Sequence, residues 1–206
     1  PSLLVLIIKP PMPPPAAKKE TEIKIWMPDA AQARKLLRRC GFRVSRRRVY
    51  ERNIVFDSPD GALRRRGFLL RLRRSGDQAT LTFKGRGSSG KYKMRTELES
   101  AVHNPEAIER IFAALGLNPV FRYEKHRTEY SKGRSGGHVC LDETPAGVFL
   151  ELEGPPGWID QTANALGFSA SHYITATYGK IYQHAEAFRS ELYEKYQREG
   201  RIRGLG

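Results

Sequence analysis

Four short stretches of this chain sort their charges by sign at a spacing of two: ETEIK (20–24), RTELE (95–99), LELEG (150–154) and LRLRR (70–74). In an extended strand, residues two apart share a face. Each stretch therefore sets like charges side by side against an apolar or uncharged back. Paired carboxylates suit hard divalent cations such as Mg²⁺ or Mn²⁺, which take oxygen ligands. Paired arginines suit phosphate oxygens, which accept forked, charge-assisted hydrogen bonds. Acids and bases together describe a site for a metal-bound polyphosphate. A solvated sheet face would blend Lys, Glu, Gln, Ser and Thr, and these stretches do not.

Elements must carry these side chains. In KKETEIKIWMP, Glu20, Glu22 and Lys24 lie opposite Thr21, Ile23 and Ile25; in FLLRLRR, Arg71 and Arg73 lie opposite Leu70 and Leu72. TLTFK aligns Thr80, Thr82 and Lys84, KMRTELES aligns Lys93, Arg95, Glu97 and Glu99, and YEKHRTEY aligns Lys125, Arg127 and Glu129. HVCLD brings Asp142, and VFLELEG aligns Phe149, Glu151 and Glu153. Helices are expected at about 29–40, at NPEAIERIFAALG with Asn104 as N-cap and Gly116 as C-cap, and at WIDQTANALG ending at Gly167. A single amphipathic C-terminal helix is expected from about Tyr178 to Gln197. The class is α+β. Two architectures produce such strands: an open antiparallel sheet that shows its charges to water, or a closed barrel with helices outside and a charged lumen. Ionisable groups in one cavity must pair, bind ions or change protonation, so a lumen is justified only by ligands. The clean sorting favours the barrel.

With 36 Lys and Arg against 22 Asp and Glu, the net charge of +14 calls for an anionic partner: nucleic acid, a membrane surface or a small polyphosphate. Cys40 and Cys140 are far apart, as suits reduced thiols in a cytoplasmic protein, and the five histidines form no HxxxH pattern. Residues 1–17 read as an extended arm, with Met12 as an alternative start. LLVLII (3–8) is too short to span a bilayer and lacks a signal peptide's flanks, so a soluble protein is expected. GRGSSGK (85–91) has P-loop spacing, but Tyr92 follows where Ser or Thr should hold magnesium, so it reads as a hairpin loop, as does GRSGG (133–137). The RRR runs at 46–48 and 64–66 read as solvated loops, with guidance of polyphosphate or RNA as the alternative. Trp26 and Trp158 read as packing residues.

Taken in order, these motifs resemble a CYTH domain, the group that includes class IV adenylyl cyclases and thiamine triphosphatases, also called triphosphate tunnel metalloenzymes. The opening signature Glu-x-Glu-x-Lys stands as Glu20, Glu22, Lys24, followed by VFDSPDGAL, LRLRR, LTFKG, RTELE, EKHRTEY, VCLDETPAGVFLELEG and TATYGKIY, over about Lys18 to Tyr182. The resemblance implies an eight-stranded antiparallel barrel with a charged tunnel, occupying 18–184, with 185–206 as helix end and tail. It implies Glu20, Glu22, Asp142, Glu151 and Glu153 as ligands of Mg²⁺ or Mn²⁺, and Glu97 and Glu99 as further lumen acids. Lys24, Arg71, Arg73, Lys84, Arg95, Lys125 and Arg127 would grip the triphosphate, and Glu20, Glu22, Lys24 and Glu153 would form the catalytic set. The usual Ser-Tyr of the last block is Thr177-Tyr178, which leaves the role of Tyr178 open. The expected activity is conversion of ATP to cAMP and pyrophosphate. Hydrolysis of inorganic, thiamine or nucleoside triphosphate is the near rival, and a non-catalytic polyphosphate or RNA binder is a third reading. Monomer and homodimer stay open.

Overall fold

The structure, a computed structural model, describes residues 18–88, 90–133 and 136–201. The expected N-terminal arm lies outside the described residues. Eight strands run β1 (Lys18–Met27), β2 (Arg43–Asp57), β3 (Leu69–Ser75), β4 (Gln78–Lys84), β5 (Lys93–Val102), β6 (Asn118–Ser131), β7 (His138–Thr144) and β8 (Gly147–Glu153). They pair antiparallel and close in the order β1-β5-β4-β3-β2-β6-β7-β8. Closure leaves no sheet edge around the ring. The expected barrel is therefore present.

Register settles which side chains share the interior, because directly opposed residues of an antiparallel pair point the same way. Glu20 faces Arg95, Lys24 faces Glu151, Lys84 faces Glu97, Arg73 faces Asn53, and Arg127 faces Asp142. Alternation then sends Ile23, Ile25, Leu72, Leu141, Leu150 and Leu152 outward, where each is fully buried. The apolar core thus lies outside the barrel, between its wall and the helices. The larger part includes Ile23, Ile25, Leu37, Leu150 and Ile159. A smaller one joins Phe56 and Leu72 to Phe112.

Helix α1 (Ala30–Arg39) starts at Asp29, whose carboxylate accepts from the backbone N–H of Gln32 at 2.8 Å. A second helix, α2 (Ala62–Arg65), is one short turn, and the third, α3 (Pro105–Ala114), is capped by Asn104, which accepts from Ala107 N–H. After α3 the chain reverses at Gly116, whose φ of 77° is open to glycine at little cost. Helix α4 (Pro156–Ala165) presents Trp158 over Gly137 and Gly154; a Cβ on Gly137 would meet its ring at 2.4 Å. Trp158 is thus a packing residue, as is Trp26, which meets Tyr196 edge-on with ring centroids 5.0 Å apart. Among the described residues no helix is long and apolar enough to cross a membrane.

Two expectations, the single C-terminal helix and the RRR runs as loops, are corrected. The C-terminal helix is two, α5 (Tyr178–Gln183) and α6 (Ala185–Arg198), broken at His184 with φ −129° and ψ 30°. Tyr178 and Ile181 anchor α5 on the barrel while Tyr196 anchors α6 on Trp26, and one straight rod cannot meet both. Arg46–Arg48 belong to strand β2 rather than a loop, with exposed side chains, and Arg64 and Arg65 belong to α2. The reading of GRGSSGK as a hairpin loop holds: the β4–β5 connection at 85–92 lies between two strands, which is not the strand-to-helix context of a phosphate loop.

Candidate functional site

Among the described residues, eight bases and eight acids gather on the barrel's inner face, and beyond them Glu129 of β6 pairs with Arg46 of β2 at 3.5 Å. The bases are Lys24, Arg71, Arg73, Lys84, Lys93, Arg95, Lys125 and Arg127. The acids are Glu20, Glu22, Glu51, Glu97, Glu99, Asp142, Glu151 and Glu153. Their formal charges cancel, so the net +14 belongs to residues elsewhere.

On the β1, β4 and β5 side, Glu20 accepts from Lys84 Nζ with both oxygens at 2.7 Å and from Arg95 Nε at 3.3 Å. Glu97 lies 3.0 Å from the same Lys84. Glu22 accepts from Lys93 at 2.7 Å and from Lys24 at 3.4 Å, and Lys24 also reaches Glu151 at 3.0 Å. Burial pushes the Glu22 carboxyl up, but Lys24 and Lys93 outweigh it and bring it down to about 2. Burial also brings the Lys93 ammonium down to about 8, against the pull of Glu22, because Lys24 and Arg95 crowd it with like charge. Both partners come down, as suits a buried corner that holds more cations than Glu22 alone can balance.

The opposite side is organised by Asp142, which is fully buried. It accepts from Lys125 Nζ, from two nitrogens of Arg127 and from the Tyr178 hydroxyl, at 2.6–2.7 Å. Arg127 also bonds Glu151. Burial opposes the charge on Glu151, but Lys24, Arg127 and Lys125 hold its carboxyl well below the usual range. Burial and then the Asp142 charge push the Tyr178 phenol well up, so it stays a donor. Its ring lies under Lys24 and Lys125, with each ammonium about 5 Å from the centroid. Tyr178 is thus a lumen residue, while Thr177 caps α5 by accepting from Lys180 N–H.

The third region lies on β2 and β3. Arg71 donates to Thr82 Oγ1 at 3.1 Å and lies 3.6 Å from Glu99; Arg73 donates to Asn53 Oδ1 at 3.2 Å and lies 3.6 Å from Glu51. Glu51 is 1% exposed, and although burial pushes its carboxyl up, Arg127, Lys125 and Arg73 bring it to about 2.

The structure thus gathers all the sequence-predicted residues along one lumen, with Glu99 half-exposed and Glu153 near an end, 3.6 Å from His138. It does not gather the acids to one point: among the described residues, no three acidic, histidine or cysteine side chains are grouped to hold a metal ion. Each is engaged by bases. Among the described lumen residues, Glu51, Asn53 and Tyr123 escaped the sequence reading, the first two because β2 carries arginines on its outer face and so lacks a clean alternation, and Lys93 was aligned but given no site role. The two-residue spacing of Val49, Glu51, Asn53 and Val55 was the available signal.

The sequence matches the CYTH domain family over residues 18–166. A protein of Methanocaldococcus jannaschii, provisionally named an adenylate cyclase, is 30% identical over 135 residues, covering 65% of this chain and 75% of that protein. A structure from Vibrio parahaemolyticus, under the same provisional name, superposes with a TM-score of 0.71 at 16% identity over 81% of this chain and 99% of the other. Another from Hippeastrum, a provisional adenylyl cyclase described as having a dominant triphosphatase activity, gives 0.59 at 19% identity over 80% and 95%. At such identities the two structures speak for the fold alone, whereas the match over residues 18–166 speaks for descent: this chain belongs to the CYTH domain family.

Proposed function

We propose that this protein is a divalent-metal-dependent enzyme acting on a triphosphate, converting ATP to cAMP and pyrophosphate. The observation that carries the reading is that, among the described residues, eight buried or half-buried lumen bases face eight acids. A triphosphate brings several negative charges, and one unit pair at 4 Å contributes about 4 kcal/mol at an effective dielectric of 20. A neutral lumen repays its desolvation only if metal ions occupy the carboxylates and release the bases toward phosphate.

The donors suit Mg²⁺ or Mn²⁺. Glu22 and Glu153 are directly opposed on β1 and β8, and Glu151 is one step along, opposite Lys24. These three would hold the metal, displacing Lys24 or Lys93 from their oxygens. Glu20, tied to Lys84 and Arg95, and Asp142, with four donors, would chiefly orient the bases around them. Bound metal would neutralise charge on the phosphates and lower the barrier to attack. Lys24, Arg71, Arg73, Lys84, Lys93, Arg95, Lys125 and Arg127 would grip the phosphate oxygens and hold the chain in line. In cyclisation the ribose 3′-oxygen bonds to the α-phosphorus, its proton leaves to a base, and the bond to pyrophosphate breaks.

Hydrolysis at the terminal phosphorus is the second reading, favoured by the activity ascribed to the Hippeastrum protein. The clamp is common to both reactions. The deciding measurement is a product assay with Mg²⁺ or Mn²⁺ offering ATP, thiamine triphosphate and tripolyphosphate. Pyrophosphate with cAMP is the expected result; orthophosphate would replace cyclisation with hydrolysis. Glu153→Gln is expected to lower turnover at least a hundredfold with the circular dichroism spectrum retained, and full activity in that variant would remove the metal-holding role.

A further inference from the structure

The lumen's eight bases are not equally compensated. Lys24, Lys84, Lys93, Lys125 and Arg127 each have a carboxylate oxygen within 3.0 Å, and Arg95 has one at 3.3 Å. For Arg71 and Arg73 the nearest carboxylate among the described residues lies at 3.6 Å, outside hydrogen-bond range. The same wall collects buried polar atoms with no hydrogen-bond partner: Asn53 Nδ2, Arg71 Nε and Ser75 Oγ, together with Glu51 Oε2. Asn53 is 1% exposed and Arg71 6%. Such atoms are rare, and each costs free energy unless a ligand or water meets it.

The orientation of the Asn53 amide is fixed by its neighbour. Arg73 Nε–H donates to Oδ1 at 3.2 Å, and the flipped amide would set two donors against each other. The Nδ2 group must therefore point its hydrogens away from Arg73. Asn53 faces Arg73 and Tyr123 across the sheet, on the inner face. The donors here are two guanidinium groups and an amide, which suit an oxygen that only accepts. Burial and the nearby charges of Arg71 and Arg127 lower the Arg73 pKa from its usual value, the sign of a corner with surplus positive charge.

We propose that Asn53 is a further phosphate-binding residue beside Arg71 and Arg73 on the β2–β3 wall, its unpartnered amide Nδ2 donating to the phosphate alongside the Arg71 Nε–H. Glu51 is a positioning residue that holds Arg73 and Lys125 while the subsite is not engaged. The inference rests on the triphosphate reading above and adds where the phosphate tail is most strongly held and by which uncharged residue.

Asn53→Asp tests it. The substitution keeps an oxygen facing Arg73 and replaces the outward amide with an acceptor that repels phosphate. Isothermal titration of tripolyphosphate, ATP and AMP into the full chain, with Mg²⁺ present, is expected to show tripolyphosphate and ATP weakened at least tenfold, the scale of one hydrogen bond to a charged group. AMP affinity and the ligand-free melting temperature should hold. Wild-type affinity for tripolyphosphate in the variant would overturn the subsite and leave Asn53 as a site for water. Weakening confined to ATP and AMP would overturn it in favour of a nucleoside contact. If the Asp variant does not fold, Asn53→Ser is expected to give the same tripolyphosphate loss, with the same contrary result. Failure of the unsubstituted chain to bind tripolyphosphate would show separately that the triphosphate reading itself is wrong.

Discussion

Glu97 sits where three acids and one ammonium meet. Burial, then Glu20 and Glu99, raise its carboxyl from 4.5 to about 7, against the pull of Lys84. The folded chain therefore keeps a proton that the unfolded chain releases. That contribution to stability is present below pH 4.5 and is lost as pH rises through 7. Its partial exposure at the lumen mouth screens the effect, leaving about 1–2 kcal/mol. Glu97→Gln should thus be more stable than the parent by about that amount at pH 8 and equal to it at pH 5, read from urea unfolding at both values. A gain at pH 5 alone would reverse the assignment. Glu22 runs the other way: its carboxyl, down at about 2, stabilises the fold above pH 4.5, and that contribution disappears on acidification toward 2.

Among the elements, α6 has the least obvious reason to be where it is. Its buried anchor is Tyr196, whose hydroxyl donates to the Trp26 carbonyl at 3.0 Å and whose ring meets Trp26 and His172 edge-on. His172 is tied in turn to Glu199 at 2.6 Å, just beyond the helix. Tyr196→Ala is expected to cost about 3–5 kcal/mol, as for other large buried rings, measured by urea unfolding. A change below about 1 kcal/mol would mean that α6 adds little to the barrel. Helices α1 and α3 were legible because Asp29, Asn104, Pro105, Gly41 and Gly116 mark their ends locally. The break at His184 was not legible, since QHA carries no Pro or Gly and the change of direction answers only to what each half packs against.

For the whole molecule, the division of charge is the main physical fact: a balanced lumen inside a chain of net +14. An exterior of excess positive charge draws anions by long-range attraction, weakened by salt. On the proposed reading, tight binding inside requires added cations. Tripolyphosphate affinity is therefore expected to fall at least tenfold when divalent metal is removed with EDTA, and to depend less on NaCl than on metal, as read by calorimetry. The polyanion-binder reading predicts the reverse, a steep loss with salt and no metal requirement.

The sequence by itself determined the two-residue sorting of acids and arginines, and with it the inner face of seven strands, because alternation is a local property of extended chain. It also carried the reading of a metal-bound polyphosphate as the ligand proposed for such a face. Only the tertiary structure decided that β2, with arginines on its outer face, supplies Glu51 and Asn53 to the lumen, and that Lys93 is held by Glu22. It alone showed Arg71 and Arg73 as the least compensated bases. Pairing depends on register across strands distant in sequence, and distances of a few tenths of an ångström decide which charges are balanced.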